Sequence, residues 1–106
     1  MRLASFTIAV FFGLSAGAFG AANLTITQKA RAFSSEETRI KKGETLTFLN
    51  DDSVPHNIMS TSTGNEFNLG SQSPGAATDV TFKEAGDVLV ICAIHPRMKM
   101  MVKVSE

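Results

Sequence analysis

The run Val88-Leu89-Val90-Ile91-Cys92-Ala93-Ile94-His95-Pro96-Arg97-Met98-Lys99-Met100-Met101-Val102-Lys103-Val104 decides the fold, because it holds two β-rich stretches around a short segment of different character. Val88 to Cys92 is apolar and β-branched, and Met101 to Val104 closes the run as a second strand. The segment between them begins at the only cysteine of the chain and contains one of its two histidines.

Upstream, the same grammar repeats. Leu24-Thr25-Ile26-Thr27, Thr38-Arg39-Ile40-Lys41 and Thr45-Leu46-Thr47-Phe48-Leu49 are short segments with period-two alternation. Lys42-Gly43-Glu44 reads as the turn between the second and third, and Asn50-Asp51-Asp52-Ser53 ends the third in polar loop residues. His56 to Met59 opens a fourth strand. Thr78 to Phe82 and Val88 to Cys92 are strands around the turn Glu84-Ala85-Gly86-Asp87. Ser60 to Gly75 is rich in Ser, Thr, Gly, Asn and Pro and reads as an irregular surface connection pinned to the core by Phe67 and Leu69. With no helical stripe after the N-terminal segment, the expectation is an all-β domain of about seven strands in a two-sheet sandwich.

The N-terminal segment belongs to a different class. Arg2 supplies a positive start, Leu3 to Phe19 is apolar, and small residues crowd Ala16 to Ala22, which is the layout of a secretory signal peptide. The run is shorter than the ~20 residues a membrane span requires and is broken by Gly13, Ser15 and Gly17, so cleavage is expected between Gly20 and Asn23, with no stable membrane insertion afterwards. The chain therefore divides into a signal peptide, 1–22, and one exported, periplasmic domain, 23–106. A domain this small often carries a staple, and a single cysteine cannot form an internal disulfide. A bound metal would serve instead. The exported part is close to neutral, has no long run of one charge sign, and the chain has no Trp or Tyr, which argues against nucleic acid as a partner.

Cys92, His95 and Met100 spell C-x-x-H-x-x-x-x-M across one loop. Singly, each has an ordinary place: Cys and Met as core residues, His on a surface. Their order and spacing point instead to one ion. An ion cycling between Cu(I) and Cu(II) needs donors acceptable to both states, and thiolate, thioether and two imidazoles form such a set. Zinc fits the thioether poorly. A Cys-His hydrolase lacks an orienting Asn or Asp marked out near the pair.

The loop resembles the copper-binding loop of the plastocyanin, pseudoazurin and amicyanin group of cupredoxins. Thr45 to Asn50 followed by Val54-Pro55-His56-Asn57-Ile58 is similar to the family's strand, polar loop and Pro-His-Asn signature, and Pro74-Gly75 through Val80 to Gly86 is similar as well. The resemblance implies a cupredoxin-like Greek-key sandwich holding one copper ion through His56, Cys92 and His95. It also implies that the backbone N–H of Asn57 donates to the cysteine sulfur. For the axial ligand, the match of Met100-Met101-Val102-Lys103-Val104 to the family's Met-x-Gly-Lys-Val register favours Met100; Met98, at the amicyanin-like spacing, is the alternative. Ile91 and Ile94 depart from the family's aromatic residue before the Cys and Pro before the second His, which leaves the colour and potential of the site open.

The function expected from this is one-electron transfer by a soluble monomer between a redox donor and an acceptor, with transient docking near His95 on an apolar patch that includes Pro55 and Pro96, rimmed by Arg97 and Lys99, to partners acidic at their docking face. The competing reading is copper tolerance, buffering or delivery in the exported compartment, to which Met98, Met100 and Met101 would contribute. A copper enzyme is disfavoured by counting, since both histidines are used in a single site.

Overall fold

The computed structural model describes residues 24–106. The expected signal peptide lies outside the described residues. Nine strands follow in order: β1 Leu24–Lys29, β2 Ala32–Phe33, β3 Glu37–Lys41, β4 Thr45–Asn50, β5 Ile58–Ser60, β6 Phe67–Asn68, β7 Ala77–Thr81, β8 Gly86–Cys92 and β9 Lys99–Ser105. All seven expected strands are present. The count rises to nine because β2 and β6 are two residues each, too short to carry a period of their own.

One sheet runs β2-β1-β4-β7 and the other β3-β9-β8-β5-β6. Both are mixed, with β1 parallel to β4 and β3 parallel to β9. Parallel neighbours cannot be joined by a tight hairpin. The chain meets this constraint by passing from β2 in one sheet to β3 in the other and back to β4.

Alternation decides what is buried. Leu46, Phe48 and Asn50 of β4, Val88, Val90 and Cys92 of β8, and Met100, Val102 and Val104 of β9 all point between the sheets. Phe48 is completely buried and lies 6.4 Å, centroid to centroid, from both Phe33 and Phe67. Phe67 in turn meets Phe82 edge-on at 5.9 Å. Phe67 and Leu69 do pin the irregular connection to the core. Cys92 is the last inward residue of β8, so the sulfur forms the end layer of this core.

Candidate metal centre

Three segments meet at that end of the sandwich. β8 delivers Cys92, the loop after it delivers His95, and the segment between β4 and β5 delivers His56. The donor atoms form a small triangle: Cys92 Sγ lies 3.6 Å from His56 Nδ1 and 3.8 Å from His95 Nδ1, and the two Nδ1 atoms are 3.2 Å apart. Among the described residues, this is the one group of His, Cys and carboxylate side chains arranged to hold an ion. A point equidistant from the three atoms lies about 2.1 Å from each, within the roughly 2.0–2.3 Å that a metal such as zinc takes to imidazole and thiolate. The triangle therefore fits a metal ion without rearrangement.

His56 is held from several directions. Its backbone exchanges two hydrogen bonds with Gln72, His56 N to Gln72 O at 3.1 Å and Gln72 N to His56 O at 2.6 Å. Gln72 is buried, and its side-chain amide donates to the carbonyls of Phe48 and Ala76 while accepting from Gln28 Nε2 at 3.0 Å. Asn50 is also fully buried and donates to Val54 O and Gln72 O, with its own Oδ1 accepting from Asp52 N. These amide side chains fix the loop that ends in His56.

Asp52 completes the arrangement. Its Oδ2 lies 3.1 Å from His56 Nε2 and accepts the Arg31 N–H at 2.9 Å. The Arg31 N–H is the main reason its pKa is lowered to about 2; burial opposes the shift, and Ser53 N–H and His56 reinforce it. Ionised at neutral pH, the carboxylate is an acceptor only, so His56 must carry its proton on Nε2. That tautomer leaves the Nδ1 lone pair facing the centre.

The sulfur is tuned by one backbone donor. Asn57 N–H points at Cys92 Sγ at 3.3 Å, as the sequence resemblance implied. Ala93 N donates to Asn57 O at 2.8 Å and locks the two loops together.

The two candidate methionines occupy different levels. Cys92 N donates to Met98 O at 3.0 Å, which continues the β8–β9 ladder and sets Met98 directly across from Cys92. Met100 pairs with Val90, one step deeper in the apolar core, about 7 Å along the strand at the usual rise. The ladder thus sets Met98, rather than Met100, level with the donor triangle.

His56 is completely buried, whereas His95 is half-buried and borders a shallow hollow of about 360 Å³. The hollow is lined by Arg31, Ile94, His95, Pro96, Arg97 and Met98. Ile94 is 49% exposed. Pro55 and Lys99 are not among the lining residues; Lys99 lines a neighbouring groove with Glu36, Leu89, Met100, Met101 and Arg97, the last of which borders both. Sequence reading missed Arg31, Asn50, Asp52 and Gln72. Only Asn50 and Asp52 carried a signal, as polar residues ending a strand, and that signal is equally met by any loop.

Comparison with known proteins bears on what the centre holds. The family model for copper binding proteins of the plastocyanin/azurin family matches residues 21–105. Among solved structures, a purple cupredoxin from Nitrosopumilus maritimus is 30% identical with a TM-score of 0.69, covering 78% of this chain and 100% of its own. A reduced amicyanin variant is 28% identical with a TM-score of 0.70, covering 83% of this chain and 85% of its own. A copper-containing nitrite reductase from Thermus scotoductus SA-01 shares the fold at 24% identity and a TM-score of 0.73, but the chain spans only 22% of its length. No curated protein sequence matches.

Proposed function

The chain belongs to the plastocyanin/azurin family of copper-binding proteins, and from that premise we propose that it is a one-electron carrier of the exported compartment whose copper is held by His56, Cys92, His95 and Met98. The observation that carries this reading is the donor triangle, with its sulfur already accepting a backbone N–H. Copper bound there would supply a Cu(I)/Cu(II) couple at a site with one thiolate and two imidazole donors.

The chain's own residues supply the rest. Asp52 holds the tautomer and orientation of His56, and Asn57 N–H withdraws charge from the thiolate. Burial of Cys92 and His56 keeps water from the donors. Because the triangle is fixed by two interlocked loops and the buried amides, little protein motion accompanies a change of charge. The half-buried His95 is the proposed path for the electron, and the hollow beside it is the contact for donor and acceptor.

Met98 is placed in the ligand set in preference to Met100 because it lies across the ladder from Cys92. The same ladder weakens the copper-handling alternative. Met100 faces the core beside Val90 and Met101 pairs with Leu89 on the outer face, so the three methionines do not converge. A copper enzyme is opposed because both histidines are spent in one triangle.

Titration of copper into the protein purified without residues 1–22 tests the reading. A Cu(II)–thiolate band in the visible spectrum is expected, and it disappears in Cys92→Ser. Absence of that band in the unmutated protein overturns the assignment. Export is tested separately, by the N-terminal residue of the protein recovered from the periplasm.

A further inference from the structure

The hairpin turn between β1 and β2 is made from residues that do not favour it. Lys29 pairs with Ala32, leaving a two-residue loop of Ala30 and Arg31 with φ of 53° and 54°. Such turns are usually built from Asn and Gly, because a Cβ crowds the backbone when φ is positive. Strain of this kind persists where surrounding contacts fix it, and it clusters at functional positions.

The contact that fixes it here is Asp52, whose Oδ2 takes the Arg31 N–H at 2.9 Å and also meets His56. The turn is thereby fastened to the loop of a metal ligand. Its exposed side chain is Arg31, which shares the hollow with His95 and Arg97.

The carboxylates beside the turn are already engaged, while Glu36, which is in no ion pair among the described residues, lines the neighbouring groove with Arg97. Asp51 pairs with Lys29 at 3.8 Å, and Asp52 is turned inward to Arg31 N–H, Ser53 N–H and His56. Among the described residues, neither Arg31 nor Arg97 is within ion-pair distance of a carboxylate. The hollow thus combines exposed apolar residues, Ile94 and Pro96, with two guanidiniums that form no ion pair, of which Arg97 also borders the groove of Glu36 and Arg31 does not.

We propose that Arg31 is a docking residue, held on the contact face by its strained turn, and that with Arg97 it selects a redox protein whose docking surface is acidic. Guanidinium groups are suited to this because their planar forks grip carboxylates at little hydration cost. The proposal rests on the carrier reading and on the acidic partner expected from the sequence, and adds Arg31, with its turn, as the residue that reads that charge.

Hexacyanochromate(III), a redox-inert paramagnetic trianion, serves as the probe. In amide NMR of the Cu(I) protein, and of the metal-free protein as a control, it is expected to broaden resonances around residues 30–32 and 94–97. Arg31→Ala weakens this binding about three- to tenfold and Arg31→Lys restores part of it.

A second readout follows oxidation by hexacyanoferrate(III), in which one electron passes from Cu(I) to iron, giving Cu(II) and hexacyanoferrate(II). The bimolecular rate falls in Arg31→Ala, while oxidation by the cationic cobalt(III) tris-phenanthroline does not. Broadening confined to lysines away from the hollow, equal effects on both oxidants, or self-association that covers the hollow each overturn the proposal. A missing thiolate band would instead remove the carrier reading beneath it, so the two failures are told apart by the spectrum.

Discussion

The two histidines of the centre sit only 3.2 Å apart at Nδ1 but live in opposite surroundings. His56 is sealed in, with its backbone paired to Gln72, its ring fixed by Asp52 and its loop threaded by the side chain of Asn50. His95 stands on the short loop after Cys92, where Met98 N–H donates to its carbonyl at 2.8 Å and its outer edge meets the hollow. One side of the site is built for constancy and the other for access. A carrier needs both: fixed donors keep reorganisation small, and an exposed donor shortens the distance to a partner.

The contrast breaks most visibly through stability. Asn50→Ala leaves the Val54 carbonyl and Asp52 N–H without their partners and should cost about 2–3 kcal/mol, whereas Ile94→Ala, on the exposed loop, should cost less than about 0.5 kcal/mol. Urea unfolding of the metal-free variants checks both. Equal losses would mean that the His95 loop is as integral to the fold as the buried amides.

Next in size is the methionine pair. Met98→Leu should change the visible spectrum and raise or lower the potential of the copper site while costing under about 1.5 kcal/mol of stability. Met100→Leu, a change within the core beside Val90, should leave spectrum and potential where they are. The reverse result would restore Met100 as the ligand.

The smallest effect is one of pH. Asp52, held at about 2 against an ordinary 3.8, contributes stability that is complete above about pH 4 and is lost as pH falls from there towards 2. In the metal-free protein, the urea midpoint of Asp52→Asn should show a shallower decline across that window than the unmutated chain.

What was legible in the sequence follows the same division. The strands announced themselves because one face of each is buried, and burial imposes period two on β4, β8 and β9. Cys92 and His95 were legible because they are rare residues close in sequence, and His56 through its resemblance to a Pro-His-Asn signature. The supports of His56 were not. Gln28, Asn50 and Gln72 come from distant parts of the chain, and nothing in a lone polar residue says that it will be buried against another.

Arg31 was hidden for a related reason, since an Ala-Arg dipeptide carries no turn signal and β2 is only two residues long. The choice between Met98 and Met100 rests on the register of the strand that follows the loop. Comparing the strand with its relatives suggested one register, but the ladder pairs Ile91 with Lys99, and the next position along it belongs to Met98.

That ladder also separates two kinds of change the protein could undergo. Hydrogen bonding between β8 and β9 continues to Cys92 and Met98, so residues 93–97 form a short cap closed by the ladder and tied to the His56 loop through Ala93 N–H and Asn57 O. A pair of residues added within the cap would alter the reach of His95, the shape of the hollow and the spacing of the ligands, while Cys92, His56 and the buried amides kept their places. The exposed side of the site is thus confined to one short insert carrying His95 and Arg97, while the buried donors and Arg31 belong to the sandwich that holds it.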